Sequence, residues 1–252
     1  MLKRLLAVGA LTFFALGSAW ADVLIVADEF PVMQALASRL KAEEKISSQV
    51  VSQKDMPPGL KQFDAVVVYI HGALTAQAED AFIEYANGGG KLVLLHHSIS
   101  SGKRKNAHWF SFLGVALPEG PVSSGGYKWT EGISWELVNL NPSHFIMTNR
   151  VSYPEQIAYT STNAVTANGK LPGFGLKNSE VYVNHVHTEP RTLLMGLKYK
   201  DEAGTVYMQD RAGWIKPGGK GWIVYLMPGH RQSDFDNVAY GRIAVNAVVW
   251  KP

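Results

Sequence analysis

Three uninterrupted apolar runs, VLIVA at 23–27, AVVVYI at 65–70 and LVLL at 92–95, constrain this chain more than anything else in it. Each has the length of one strand, and none alternates apolar with polar residues. Such runs suit strands buried on both faces, as in a parallel sheet covered by helices on either side. Helical spacing fills the gaps between them. Met33, Leu36 and Leu40 recur on one face after Pro31, and proline is tolerated in a helix's first turn. Ala78, Phe82 and Tyr85 do the same after Thr75, a residue type suited to an N-cap. Gly88, Gly89 and Gly90 then close that helix, since glycine takes up left-handed backbone without steric cost. The pattern strand, helix, strand, helix, strand predicts an α/β fold with a parallel sheet flanked by helices.

Crossovers in such sheets are right-handed, so successive strands end on one rim, and ligands bind beyond the carboxyl ends of the strands. Asp28, His71 and the pair His96-His97 each follow such an end. A late run, GWIVYLM at 221–227, is followed by Pro228-Gly229, which delivers His230 in the same way. A buried strand has little use for imidazoles at its tip. The rim position therefore favours chemistry at His96, His97 and His230 over a purely structural, hydrogen-bonded role.

Between the early and late strands, residues 127–210 alternate short strand-like runs with turns, which predicts a β-rich insertion. A final helix is expected from Phe235 to Val249. No internal repeat or linker divides the chain, so residues 22–252 read as one domain.

Several further groups are candidates. Trp109, beside His108, offers an indole face for a sugar ring, or else a core side chain of a short amphipathic helix. Tyr127 and Trp129 are two more stacking surfaces. His144 stands in a loop, and Glu155 could exchange protons if folding brings it to the rim. His185 and His187 would share one face of a strand, a spacing found in metal sites, although an exposed edge strand explains it as well. No phosphate loop is present, and no serine sits in a nucleophile elbow.

Composition narrows the chemistry. The chain has no cysteine, which excludes disulfides, thiolate metal sites and a cysteine nucleophile. Its first 21 residues carry Lys3 and Arg4, an apolar run from Leu5 to about Leu16, and Ala19-Trp20-Ala21. That is the pattern of a secretory signal peptide, too short to span a bilayer comfortably. Export to the periplasm or the medium is the expectation, with no membrane attachment after cleavage. Removing Lys3 and Arg4 leaves 22 basic residues against 21 acidic ones. With no basic run, nucleic acid is not an expected partner.

Taken in order, FDAVVVYIHG, GGGKLVLLHHS, PSHFI, PEQIAY, GGKGWIVYLMPGH and the closing NAVVW resemble the ThuA-like (trehalose utilisation) family. The resemblance spans nearly all of residues 22–252. It implies a flavodoxin-like, class I glutamine amidotransferase-like fold and a small-molecule carbohydrate as partner, trehalose or a related glycoside or keto-sugar. It places the family's strand-end histidine on His96 or His97, its acidic position on Glu155, its loop histidine on His144 and its late glycine-histidine on Gly229-His230. Phe145 stands where the family usually has proline, and Trp222 where a late arginine is usual.

The combined expectation is an exported carbohydrate-active isomerase, lyase or hydrolase. His97, Glu155 and His230 would act as acid–base groups, with His96 and His144 orienting them or holding a divalent metal. Trp109, Tyr127 and Trp129 would contact the sugar. A non-catalytic carbohydrate-binding protein and a histidine-rich metal-binding protein are the alternatives.

Overall fold

The computed structural model describes residues 22–160 and 168–252; the signal-peptide reading at residues 1–21 lies outside them. The first elements keep the expected alternation except that no helix separates the second and third strands: β1 (Val23–Ala27), α1 (Phe30–Glu44), β2 (Ser48–Val51), β3 (Ala65–Tyr69) and α2 (Ala76–Asn87) lead to β4 (Lys91–Leu95). Every residue of β1 and β3 is buried, the consequence of covering both faces of a parallel sheet. Met33, Leu36 and Leu40 bind α1 to it, and Ala78, Phe82 and Tyr85 bind α2. Thr75 caps α2 by accepting from the Ala78 amide at 3.2 Å. Of the three glycines after α2, only Gly89 adopts positive φ, at 113°. Gly90 is needed for space, because a Cβ there would lie 2.4 Å from the Tyr85 ring.

The middle of the chain contributes α3 (Trp109–Leu113), β5 (Val115–Ala116), β6 (Lys128–Asn139), α4 (Phe145–Thr148), β7 (Glu155–Thr160), β8 (Asn168–Val183), β9 (Val186–His187), β10 (Thr192–Lys200) and β11 (Val206–Gly218). Then come β12 (Gly221–Leu226), α5 (Gln232–Asp236) and α6 (Val238–Val249). The predicted final helix is thus broken at Asn237, whose side chain caps α6 by accepting from the Tyr240 amide.

Ten strands form one sheet in the order β2-β1-β3-β4-β12-β11-β10-β6-β8-β7. The first five are parallel, with β12 paired to β4 from Trp222↔Lys91 to Leu226↔Leu95. Their order is the one used by flavodoxin-like doubly wound sheets. From β11 onward every pairing is antiparallel. The β-rich middle is therefore no separate layer but a continuation of the parallel sheet beyond β12. Register places Glu131 opposite Glu180 and Trp129 opposite Tyr182 on β6 and β8, so the two pairs share one face.

Candidate active site

The parallel strands end on one rim, as their crossovers require, and the chain turns sharply there. After β4, residues His96–Ile99 form a 3-10 turn, and His96 takes φ 38°. A left-handed histidine costs about 1–3 kcal/mol and persists where its surroundings hold it. It also resolves how adjacent residues can serve one site: on a strand their side chains would diverge, whereas here the two rings lie 4.3 Å apart. After β12, Asp234 fixes the turn that presents His230. Its carboxylate accepts from the Gly229 and His230 amides at 3.1 and 2.9 Å, and from Ser179 Oγ at 2.7 Å. Tyr69 Oη and Tyr240 Oη bond the carbonyls of Gly229 and Pro228 in the same turn.

The carboxylate of the site comes from β8. Glu180 Oε2 lies 2.7 Å from His96 Nε2, 3.0 Å from Tyr182 Oη, 3.2 Å from His230 Nδ1 and 3.9 Å from His97 Nδ1. Burial alone would push Glu180 up; the hydrogen bonds and charges of His230 and His96 outweigh it and bring the group down to about 2. Tyr182 Oη also reaches His97 Nδ1 at 3.0 Å and His96 Nε2 at 3.2 Å. Burial first, and then the Glu180 charge, keep that phenol protonated far into alkali.

His96 Nδ1 faces the Met227 carbonyl, which can only accept, so this nitrogen carries a proton. Nε2 is thereby directed into the cluster, the orientation a metal-ligating histidine needs. The ligand atoms of His96, His97, Glu180 and His230 all lie within 4.8 Å of one another. Three imidazoles and one carboxylate form a donor set suited to zinc or a similar divalent ion, whose ligands stand about 3.4 Å apart around bonds of about 2.1 Å.

His71 forms the outer wall of the site. Its ring lies 3.7 Å from that of His97, and its Nδ1 is 2.9 Å from Asp28 Oδ1. Burial alone would lower His71; the hydrogen bond and charge of Asp28, then the charge of Glu29, raise it. His97 is held below the usual imidazole range, by burial first and then by neighbouring His96, His71, His230 and Lys103. Lys103, fully buried, donates from Nζ to the carbonyls of Ile70, Gly72 and His97 at 2.7, 2.6 and 3.2 Å. One ammonium thus joins two strand-end turns, while burial pushes it down to about 7.

The sequence profile of the trehalose utilisation family, ThuA, matches residues 23–251. The chain belongs to the ThuA family. Solved structures agree on the fold. A ThuA-like protein from Bacteroides uniformis ATCC 8492 superposes with a TM-score of 0.60 at 15% identity, covering 94% of each chain. A cytoplasmic protein from Salmonella typhimurium LT2 gives 0.54 at 10% identity, over 90% of this chain and 97% of that one. A β-galactosidase from Rahnella sp. R3 gives 0.51 at 15% identity, over 90% of this chain but only 32% of the galactosidase. No curated protein sequence matches the chain.

Within this ThuA chain, folding gathers some of the expected site residues and separates others. His96, His97 and His230 meet at the rim. Glu155 does not join them: it opens β7, is exposed, and lines a hollow with Glu136 and Lys198 on the antiparallel half. The carboxylate that does reach the rim, Glu180, was missed, together with Tyr182. A polar pair at i and i+2, alternating with Val181 and Val183, was its one signal in the sequence. His144 caps α4 and packs against Trp250 at 5.3 Å. Trp250 in turn lines a hollow with Asp22, Lys91 and Trp222 at the amino-terminal ends of the strands, so His144 lies opposite the rim. Trp222, where the family usually has arginine, sits at that same far end.

Trp109 is a core residue rather than a sugar platform. It is fully buried, donates from Nε1 to the Ser98 carbonyl at 2.8 Å, and packs on Phe82. Tyr127 and Trp129 do adjoin the site. They line a hollow of about 590 Å³ with Ser101, Arg104, Glu119 and Lys128, and the Tyr127 ring lies 6.0 Å from that of Tyr182. Trp129 is 49% exposed, an unusual position for an indole. His185 is fully buried, against the expectation of an exposed edge strand, and His187 is half-buried.

Proposed function

We propose that this ThuA-family protein is an enzyme that acts on a carbohydrate, a keto-sugar or glycoside, by acid–base chemistry at the cluster of His96, His97, Glu180, His230 and Tyr182. The observation that carries this reading is the convergence of three imidazoles, one carboxylate and one phenol from β4, β8 and β12 onto a single rim. Such a convergence of titratable groups, with His97, Glu180 and Tyr182 shifted by their surroundings, marks catalytic sites more often than structural ones.

The groups divide the work by their protonation. Tyr182 stays a phenol and donates; Glu180 stays a carboxylate and accepts. His97, kept neutral by its surroundings, has a buried Nε2 with no partner, free to take a proton from a carbon next to a sugar carbonyl. His71, held toward the imidazolium by Asp28, covers His97 on the solvent side. The exposed face of Trp129 and the hollow beside Tyr127 offer the apolar and polar surfaces that a sugar ring requires. A divalent cation held by His96, Glu180 and His230 would polarise the carbonyl oxygen and leave His97 free to act as the base. The flavodoxin-type strand order supports kinship with class I glutamine amidotransferase-like folds, although their cysteine chemistry is excluded here. The leader-like pattern of residues 1–21 supports an exported enzyme.

Turnover of 3-keto-glycosides and their parent disaccharides by the purified protein tests the proposal, with Glu180→Gln as control. Equal rates for the two proteins would remove the assigned chemistry. Sugar binding by calorimetry without any turnover would replace it with the non-catalytic carbohydrate-binding reading.

A further inference from the structure

A second polar cluster, built from other residues than the first, lies where the chain leaves β8 and passes through β9 toward β10. The rings of His185 and His187 are 5.4 Å apart, and His187 lies 6.0 Å from the Trp214 ring. The Arg191 guanidinium is stacked over that same indole at 4.4 Å. Arg211, from β11, donates to the His185 carbonyl and completes the group. His185 and Trp214 are wholly buried and form the floor; His187, Arg191 and Arg211 are half-buried at its edge.

What distinguishes this cluster is unmet donors. Nε2 of His187, Nη1 of Arg191 and Nε1 of Trp214 are buried without a hydrogen-bond partner, while the His185 ring faces the backbone of Tyr182 and Arg211. The indole and guanidinium nitrogens can only donate, and each neutral imidazole has one donor as well. An unsatisfied buried donor costs about 1–3 kcal/mol, so several in one place call for an acceptor that protein atoms do not supply. The nearby carboxylates are already engaged. Glu189 holds Lys216 Nζ at 2.5 Å, and Asp210 accepts from Tyr159 Oη at 2.6 Å. Two guanidiniums beside two imidazoles would repel a metal cation. They suit an anion, and Arg in particular matches the geometry of a multi-oxygen acceptor.

We infer that His185, His187, Arg191, Arg211 and Trp214 form a binding site for a small oxyanion of the phosphate, sulfate or carboxylate class. The site is separate from the acid–base cluster and stands whether or not the proposed sugar chemistry does. The anion would accept from Arg191, from the indole and from the His187 imidazole at once, and would tie β9 to the edge of β10 and β11.

The test uses the whole protein with imidazole resonances resolved by NMR. Sodium phosphate, sulfate and acetate are titrated in turn at constant ionic strength, with chloride as the balancing salt. Saturable shifts of the His185 and His187 resonances, with those of His144 unmoved, are expected for at least one of the three. Arg191→Gln should weaken that binding about tenfold or more. His187→Gln is the second variant should Arg191→Gln fail to fold, and the same loss is expected of it. If no oxyanion gives a saturable shift, if chloride alone gives the same shifts, or if folded Arg191→Gln and His187→Gln both bind as tightly as the wild type, the site does not exist as described.

Discussion

Glu180 and His96, 84 residues apart in the chain, meet at 2.7 Å at the centre of the rim. The contact gives the first prediction its contrast. Glu180→Gln keeps the size of the side chain but removes its charge, and kcat/KM on the active sugar should fall by about 100-fold or more. Glu155→Gln, on the exposed start of β7, should leave it within a factor of about two, since surface changes away from special features have small effects. Steady-state kinetics of the two variants decide which glutamate belongs to the site.

Two tryptophans should separate in the same way. Trp109→Ala opens a cavity in a fully buried position and should cost about 3–5 kcal/mol in urea unfolding. Trp129→Ala should change stability by no more than about 0.5 kcal/mol, yet weaken sugar binding in calorimetry by about 1 kcal/mol through the lost apolar contact.

Acid should find Glu180. Its folded value, about 2, lies below the ordinary 4.5 of a free glutamate. A group depressed in this way stabilises the fold above the unfolded value, and that contribution is lost as pH falls from about 4.5 through about 2. Urea midpoints at pH 7, 4.5 and 3 should fall for the wild type, and fall less steeply for Glu180→Gln. Parallel curves would show that the carboxylate is not held as described.

Glycine substitutions test the packing of β12 against the end of α2. A Cβ on Gly221 would stand 2.0 Å from the Gly90 carbonyl oxygen and 2.6 Å from that of Ala86, both backbone atoms that cannot swing aside. Gly221→Ala should cost about 1–3 kcal/mol. Gly59→Ala, with nothing within 4 Å, should be neutral or stabilise by up to about 1 kcal/mol. Thermal unfolding of the pair checks both.

The parallel half was legible because its strands are continuous apolar runs and its helices carry clear caps and periodicity. The rim histidines followed from topology alone. The antiparallel half was much less so. β8 contains Gly169, Pro172, Gly173 and Gly175, all signals of turns rather than of a strand. Gly173 is there for close approach, since a Cβ would fall 2.3 Å from the Leu137 carbonyl oxygen. Reading β8 as turns hid Glu180 and Tyr182, while the family resemblance placed the acidic position on Glu155. His185 was misplaced for a related reason: its burial depends on β9 pairing with β5, a contact across about 70 residues that no local pattern announces.

The continuous ten-stranded sheet has one more implication. Because the imidazoles descend from its parallel side and the carboxylate and phenol from its antiparallel side, neither portion could be excised with the cluster intact. Shortening the protein to its doubly wound core would yield a shell of histidines stripped of their counter-charge. Grafting experiments that aim to move this cluster elsewhere must therefore carry strands from both portions of the sheet.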